Sequence, residues 1–243
     1  MGKDKIILGF VGERGAGKDA ATDYLKDPKY GAKVHKFSAP MSVCLDHLGL
    51  PKTTENLILW SELTREGHTP GKALAGLTGA PSTDALDACL GVLRLAKTRG
   101  HRDQIHSLVM NAAGTPGFGQ NLYCKVVAAN CLHDETPITI ASGIRRWPDV
   151  EDLRALPEFQ LIYVTAPEWL RYQRVRNRGE KAEEKNLSLE KFQASQKLST
   201  EVDIPDIGKQ ADFKFNNVGT LEAYYDFLDA ALKSLRTAEA RIV

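Results

Sequence analysis

The stretch Lys5-Ile6-Ile7-Leu8-Gly9-Phe10-Val11-Gly12-Glu13-Arg14-Gly15-Ala16-Gly17-Lys18-Asp19 constrains this chain more than any other. Ile6 to Val11 is a near-continuous apolar run, the pattern of a strand buried on both faces. Ala20 to Leu25 opens a helix. Between them the spacing Gly-x-x-x-x-Gly-Lys is that of a phosphate-binding loop. A strand, a tight glycine-rich turn and a helix start gather backbone N–H groups and the positive helix end around one anion. Glycines at 12, 15 and 17 permit the backbone conformations such a nest requires. The expected anion-binding residues are therefore Glu13, Arg14, Gly15, Ala16, Gly17, Lys18, Asp19 and Ala20, with Lys18 reaching the β- and γ-phosphates of a nucleoside triphosphate. Asp19 stands where most such loops place a Ser or Thr on magnesium. Two roles are open to it: holding Mg2+, directly or through water, as that ion's hard-oxygen preference allows, or capping the helix.

At 243 residues the chain has room for one α/β domain with an insertion or for two small ones, and its hydrophobic content of 42% is that of a globular protein. A formal net charge of +1 argues against a broad nucleic-acid-binding surface, though not against a local basic pocket. Cys44, Cys89, Cys124 and Cys131 form no Cys-x-x-Cys pair and read as reduced, structural thiols of a cytoplasmic protein. Met1 to Asp4 runs directly into the first strand, without space for a signal peptide, and no apolar run reaches membrane-spanning length. A soluble chain without a membrane partner is expected.

Further strands are expected at 32–37, 137–142, 159–164 and 211–216, and helices from Ser38 and over 120–132, 150–156, 168–178 and 221–235. Apolar strands alternating with helices imply a parallel sheet covered on both faces, a three-layer α/β/α architecture within one domain of residues 1–243. Residues 50–104 read as an insertion of short helices. The basic cluster Arg94, Lys97, Arg99, His101 and Arg102 near its end is either a solvated helix face or a surface for an anionic substrate.

Two groups of arginines accompany the loop. Arg145 and Arg146 follow the strand ending at Ser142, at the sheet edge where ligands bind. Guanidinium groups there suit phosphoryl oxygens, although a surface network with Asp149, Glu151 and Asp152 is the competing reading. Asp149 itself has three open roles: helix cap, arginine partner or magnesium neighbour. Arg171, Arg174 and Arg178 share one helix face and begin a polar stretch that reads as a lid over 171–199. The alternative is a solvated face paired with Glu183, Glu184 and Glu190. Asn216 and Asn217 end the last strand; they either wall an adenine site or simply suit a turn.

Taken together, these segments resemble the deoxynucleoside monophosphate kinases of bacteriophages and, more distantly, animal-type phosphomevalonate kinases. The resemblance rests on Gly12 to Asp19, with its Gly-Lys-Asp ending; on Leu108 through Gly114-Thr115 to Lys125; on the strand and turn ending in Arg145; and on Thr200-Glu201 to Asn217-Gly219. It implies a P-loop kinase fold and the use of ATP and Mg2+. In that reading Gly12, Gly15, Gly17, Lys18 and Asp19 hold the ATP phosphates, and Arg145 stabilises transferred charge. The acceptor would be a nucleoside monophosphate (a dNMP above all), embraced by the 50–104 insertion, and the assembly a homodimer. Lys18, Arg145, Arg146, Arg171 and Arg174 form the expected catalytic set, and Arg178, Asn216 and Asn217 join the nucleotide-binding one. No general base is required when the acceptor is already an anionic phosphate. Two departures stand out: Gly143 where the family often has an acid, and Met41-Ser42 after Pro40 where it often has a basic residue. Other acceptors stay open, namely phosphomevalonate, dephospho-coenzyme A or a hydroxymethylated base in phage DNA. So does a nucleotide-binding switch without acceptor, against which stand the arginines and the lack of an Asn-Lys-x-Asp guanine motif.

Overall fold

Ile6–Val11 forms β1, every residue of which is buried, at the centre of a five-stranded sheet. The computed structural model describes residues 5–39, 42, 122–179, 184 and 186–239. The 50–104 insertion, its basic cluster and the Leu108–Gly114-Thr115 segment lie outside the described residues. The other strands are β2 (Lys33–Lys36), β3 (Ile138–Ser142), β4 (Phe159–Thr165) and β5 (Phe213–Asn216), in the order β2-β3-β1-β4-β5. β1 pairs in parallel with both β3 and β4, and β4 with β5. Each expected strand is present, with bounds within two residues of those expected.

Alternation along the strands assigns the two faces. Ile6, Leu8 and Phe10 of β1 lie level with Ile138, Ile140, Ile162 and Val164 on one face, and α1 (Lys18–Leu25) and a C-terminal helix cover it. That helix spans Leu221–Glu239 and buries Tyr224, Leu228 and Leu232, a stripe at four-residue spacing. Burying each such side chain is worth about 1.5–3 kcal/mol, so this face supplies much of the drive for folding. Phe215 of β5 stacks on Tyr224 at a centroid distance of 4.7 Å, and Tyr24 of α1 stacks on Tyr225 at 3.9 Å. The opposite face receives a short helix, Ile204–Lys209, whose Gly208 lies against the Tyr163 ring of β4. Helices thus cover a parallel sheet on both sides, the α/β/α class expected.

Two helices of the 186–210 region were not anticipated. Leu189–Ser195 is capped by the Ser188 hydroxyl, which accepts from the Lys191 N–H at 3.2 Å. Phe192 is its only buried residue, so no apolar period marks it in the sequence. Ile204–Lys209 is six residues long and begins at Ile204-Pro205, which reads equally well as a turn. In chain order the helices are α1, α2 (Leu122–His133), α3 (Trp147–Arg154), α4 (Glu168–Arg178), α5 (Leu189–Ser195), α6 (Ile204–Lys209) and α7 (Leu221–Glu239).

The chain divides into two compact units. One comprises Met1–Val34, Thr136–Trp147 and Pro157–Val243, and the other His35–Glu135 and Pro148–Leu156. In the second, α2 buries Cys124, Val126, Val127 and Cys131, and the Cys124 thiol donates to Asp149 Oδ1 at 3.5 Å. His35 Nε2 lies 3.1 Å from Asp134 Oδ2 in the same unit. Among the described residues, no helix is long and apolar enough to cross a membrane.

Candidate phosphate-binding site

The loop after β1 is shaped by how closely other backbone approaches it. A Cβ on Gly12 would stand 2.1 Å from the Val164 carbonyl oxygen of β4, so only glycine lets the chain turn there. Gly17 has φ 115° and is the residue from which α1 departs. A Cβ on Gly17 would stand 2.3 Å from Asn217 Nδ2. Asn217 is buried beyond the end of β5; its Nδ2 donates to the Ala16 carbonyl at 2.8 Å and its N–H to the Thr165 carbonyl at 2.7 Å. It therefore braces the loop against the sheet. Asn216, its partner in the adenine-wall reading, is exposed at the end of β5.

Lys18 opens α1 and folds back over the loop, its Nζ donating to the Gly12 carbonyl and, at 3.1 Å, to the Glu13 carbonyl. The residue as a whole is half-buried, yet its ammonium is desolvated. Burial above all, with the neighbouring positive charges of Arg145 and Arg171, pushes its pKa down to about 8 against the opposing pull of Asp19 and Glu13. Glu13 packs against β4: its Oε1 accepts from the Tyr163 hydroxyl at 2.7 Å and from Thr165 Oγ1 at 3.4 Å. Tyr163 is pushed up to about 12, chiefly by burial, and stays a donor. Glu13 Oε2 is buried and has no hydrogen-bond partner among the described residues.

Asp19 is the second residue of α1. Since Gly17 is the N-cap and no side chain caps that helix, the capping alternative is not realised. The Asp19 carboxylate is exposed instead, its Oδ2 3.4 Å from Arg178 Nη1. Among the described residues no cluster of three or more His, Cys, Asp or Glu side chains could cage a metal. A single exposed carboxylate at a helix start nevertheless fits Mg2+, which keeps its waters and takes most other ligands from substrate phosphates.

The arginines separate into distinct roles. Arg171 is buried, its Nε donating to the Ala166 carbonyl at 2.9 Å and its Nη1 to Gln196 Oε1 at 2.6 Å and the Arg14 carbonyl at 3.4 Å. It also lies over the Phe192 ring at 5.8 Å. These contacts commit it to joining α4, α5 and the back of the loop. Arg174 donates through Nη2 to Asn217 Oδ1 at 3.5 Å, and its Nη1 is buried without a hydrogen-bond partner among the described residues. Arg178 and Arg14 both donate to the buried Glu184. Arg145 pairs with Glu201, and Arg146 Nη2 donates to Ser199 Oγ at 3.3 Å.

Lys18, Asp19, Glu13, Arg145 and Arg171 are thus brought within one electrostatic neighbourhood. Glu184 stands in the sequence reading as a pairing partner of the arginine face and Glu201 within the Thr200-Glu201 segment of the resemblance; the supporting residues that the sequence does not reveal are Tyr163 and Gln196. Each is polar and acts through a partner more than ten residues away or across an undistinguished polar stretch.

Neither a protein-family model nor a curated protein matches the sequence. Among solved structures the chain is similar to TT1252 from Thermus thermophilus, at 20% identity over 96% of this chain and 97% of that one, with a TM-score of 0.49. It is also similar to an uncharacterized protein from Eubacterium ventriosum, at 9% identity over 95% and 99% of the two chains, with a TM-score of 0.46. A third match is a shikimate kinase from Acinetobacter baumannii in complex with shikimate, at 14% identity over 98% and 96%, with a TM-score of 0.42.

Proposed function

We propose that the chain is an ATP-dependent phosphotransferase, a nucleoside monophosphate kinase that converts a deoxynucleoside monophosphate to the diphosphate. The observation that carries this reading is the loop itself: Gly17 in the left-handed region, Ala16 and Asn217 locked together, and the Lys18 ammonium curled over the nest. The nest and the start of α1 would hold the β- and γ-phosphates, and Lys18 would exchange its bonds to the loop carbonyls for bonds to phosphoryl oxygens. Asp19 would hold Mg2+ through its water shell, and the ion would supply charge neutralisation between the phosphates.

Transfer requires positive charge on the far side of the γ-phosphoryl group. Arg145 supports this role, since its charge reaches Lys18 and Glu201 fixes its direction. Arg146, tied to Ser199, is the second candidate. Arg174 and Arg178 line the approach from α4 and belong to the proposed lid of residues 171–199, with Arg174 and Asn217 beside Gly17 suited to the nucleoside end. In the reaction an acceptor phosphate oxygen bonds to the γ-phosphorus as its bond to the bridging oxygen breaks, leaving ADP and a deoxynucleoside diphosphate. The choice of a dNMP rests on the Gly-Lys-Asp resemblance, with acceptor recognition assigned to the 50–104 insertion.

A coupled assay of ADP release against a panel of nucleoside and deoxynucleoside monophosphates tests the proposal. ADP release that depends on one of the monophosphates is expected. Release without any acceptor would point to a nucleotide switch, and silence with every nucleotide would point to another small-molecule acceptor.

A further inference from the structure

Glu184 carries an arrangement that the phosphate-binding motif does not explain. Its side chain is 1% exposed, and one of its oxygens, Oε1, accepts from Arg14 Nη2 at 2.8 Å and from Arg178 Nη2 at 2.9 Å. Arg14 belongs to the loop between β1 and α1, and Arg178 is the last residue of α4. Burial on its own would raise the carboxyl pKa. The hydrogen bonds and charges of Arg178 and Arg14 outweigh it and hold the group at about 2, so it stays ionised throughout the physiological range. Arg178 also reaches forward, its Nη1 lying 3.4 Å from Asp19 Oδ2 on the first turn of α1.

We propose that Glu184 is a positioning residue for nucleotide binding, its buried carboxylate holding Arg14 and Arg178 as a paired clamp for the triphosphate beside Lys18. This rests on the reading of Gly12–Asp19 as the ATP phosphate site. Two guanidinium groups brought to one carboxylate oxygen repel one another, and long side chains lose rotamer freedom when fixed. A carboxylate shared between them offsets both costs before the ligand arrives. The pattern of exposure gives the direction of the arrangement. Glu184 lies on the protein side, whereas the Arg14 and Arg178 side chains are 30% and 31% exposed. A carboxylate competing with phosphate for the site would have to face the solvent from which the phosphate comes. A guanidinium has five donors in a planar fork, more than one shared carboxylate oxygen takes up. Two arginines with their roots fixed can therefore grip a polyphosphate from both ends of the loop.

The test is Glu184→Gln, read by titration with a fluorescent N-methylanthraniloyl derivative of ATP, together with steady-state kinetics. The expected result is about tenfold weaker nucleotide binding and a similar rise in KM for ATP. The acceptor KM should stay within twofold, a split that a general loss of structure would not produce. Arg14→Gln should weaken binding in the wild-type background and add little in the Glu184→Gln background. Unchanged or tighter binding by Glu184→Gln would overturn the proposal, the latter by showing that the carboxylate competes with phosphate. Fully additive effects of the two substitutions would overturn it as well, by placing the action of Glu184 elsewhere. Glu184→Asp keeps the charge at shorter reach and should bind about threefold more weakly than wild type with an unchanged unfolding temperature. If Glu184→Gln does not fold, this variant decides, and wild-type affinity in it overturns the proposal. A wild-type protein that binds no ATP would instead overturn the parent reading of the loop.

Discussion

The loop of residues 12–18 and the arginines of 145–178 serve the same ligand in the proposed function, yet they are held in different ways. Main-chain features hold the loop: a positive φ at Gly17, the approach of Val164 to Gly12 and the Asn217 bond to the Ala16 carbonyl. Side-chain charge holds the arginines: Arg145 by Glu201, and Arg178 by Glu184, which also takes the Arg14 side chain of the loop. Backbone geometry tolerates almost no substitution but is insensitive to salt and pH. Ion pairs can be retuned one residue at a time, and their strength depends on how well they are shielded from water. The difference separates a fixed donor cradle from an adjustable charge cage.

The charge cage should show the largest effect. Arg145→Ala is expected to lower the phosphotransfer rate about a thousandfold, the scale on which a transition-state arginine acts, while leaving ATP affinity within a fewfold of wild type. Single-turnover rates and nucleotide titration measure the two quantities separately. An equal loss in both would place Arg145 in ground-state binding instead.

The cradle should fail through stability. Gly17→Ala places a Cβ against Asn217 Nδ2 at a backbone angle that L residues rarely adopt. Strain and the displaced Asn217 bonds together should cost about 3 kcal/mol, measured by urea denaturation, with ATP binding lost in parallel. A variant as stable as wild type would show that the loop adapts, and the contrast with the arginines would disappear.

Much of the cradle was legible in the sequence, because its requirements are local. Glycines at fixed spacing, an apolar strand before them and a helix after them are properties of neighbouring residues. The strands at 159–165 and 213–216 were legible for the same reason, as apolar runs between turn signals. The charge cage was legible only as composition. Arg171 and Arg174 share a helix face with Arg178, yet Arg171 is turned into packing against Gln196 and Ala166 whereas Arg178 meets Glu184 and Asp19. That division depends on where α5 and the Glu184 segment return, a tertiary fact with no local period. Asn217 reads in sequence as a wall for the base or a turn former; neither reading specifies the bond of its Nδ2 to the Ala16 carbonyl across 201 residues of chain.

A smaller effect sharpens the comparison at Lys18, where the two halves meet. Its pKa of about 8 is set by burial and by Arg145. Phosphate binding needs the ammonium, so ATP affinity should fall as pH rises through 8, by up to tenfold per unit, and binding near that pH should take up protons. Calorimetry in buffers of different ionisation enthalpy measures this uptake. Stability has the opposite sign. Between pH 8 and the ordinary lysine value of 10.5 the unfolded chain holds more protons than the folded one, so the contribution of Lys18 to stability rises across that window. Arg145→Ala should move the affinity midpoint upward, because it removes a neighbouring positive charge.

Equilibrium binding of ATP to the wild-type protein and to Lys18→Met, followed by calorimetry at pH 7, tests the central claim most directly. One ATP bound per wild-type chain, with affinity about a hundredfold weaker in the variant, is the predicted result, since charge-assisted bonds to phosphate are lost while the loop backbone stays in place. No binding by the wild type, or equal binding by both proteins, would contradict the assignment of Gly12–Asp19 as a nucleotide phosphate site.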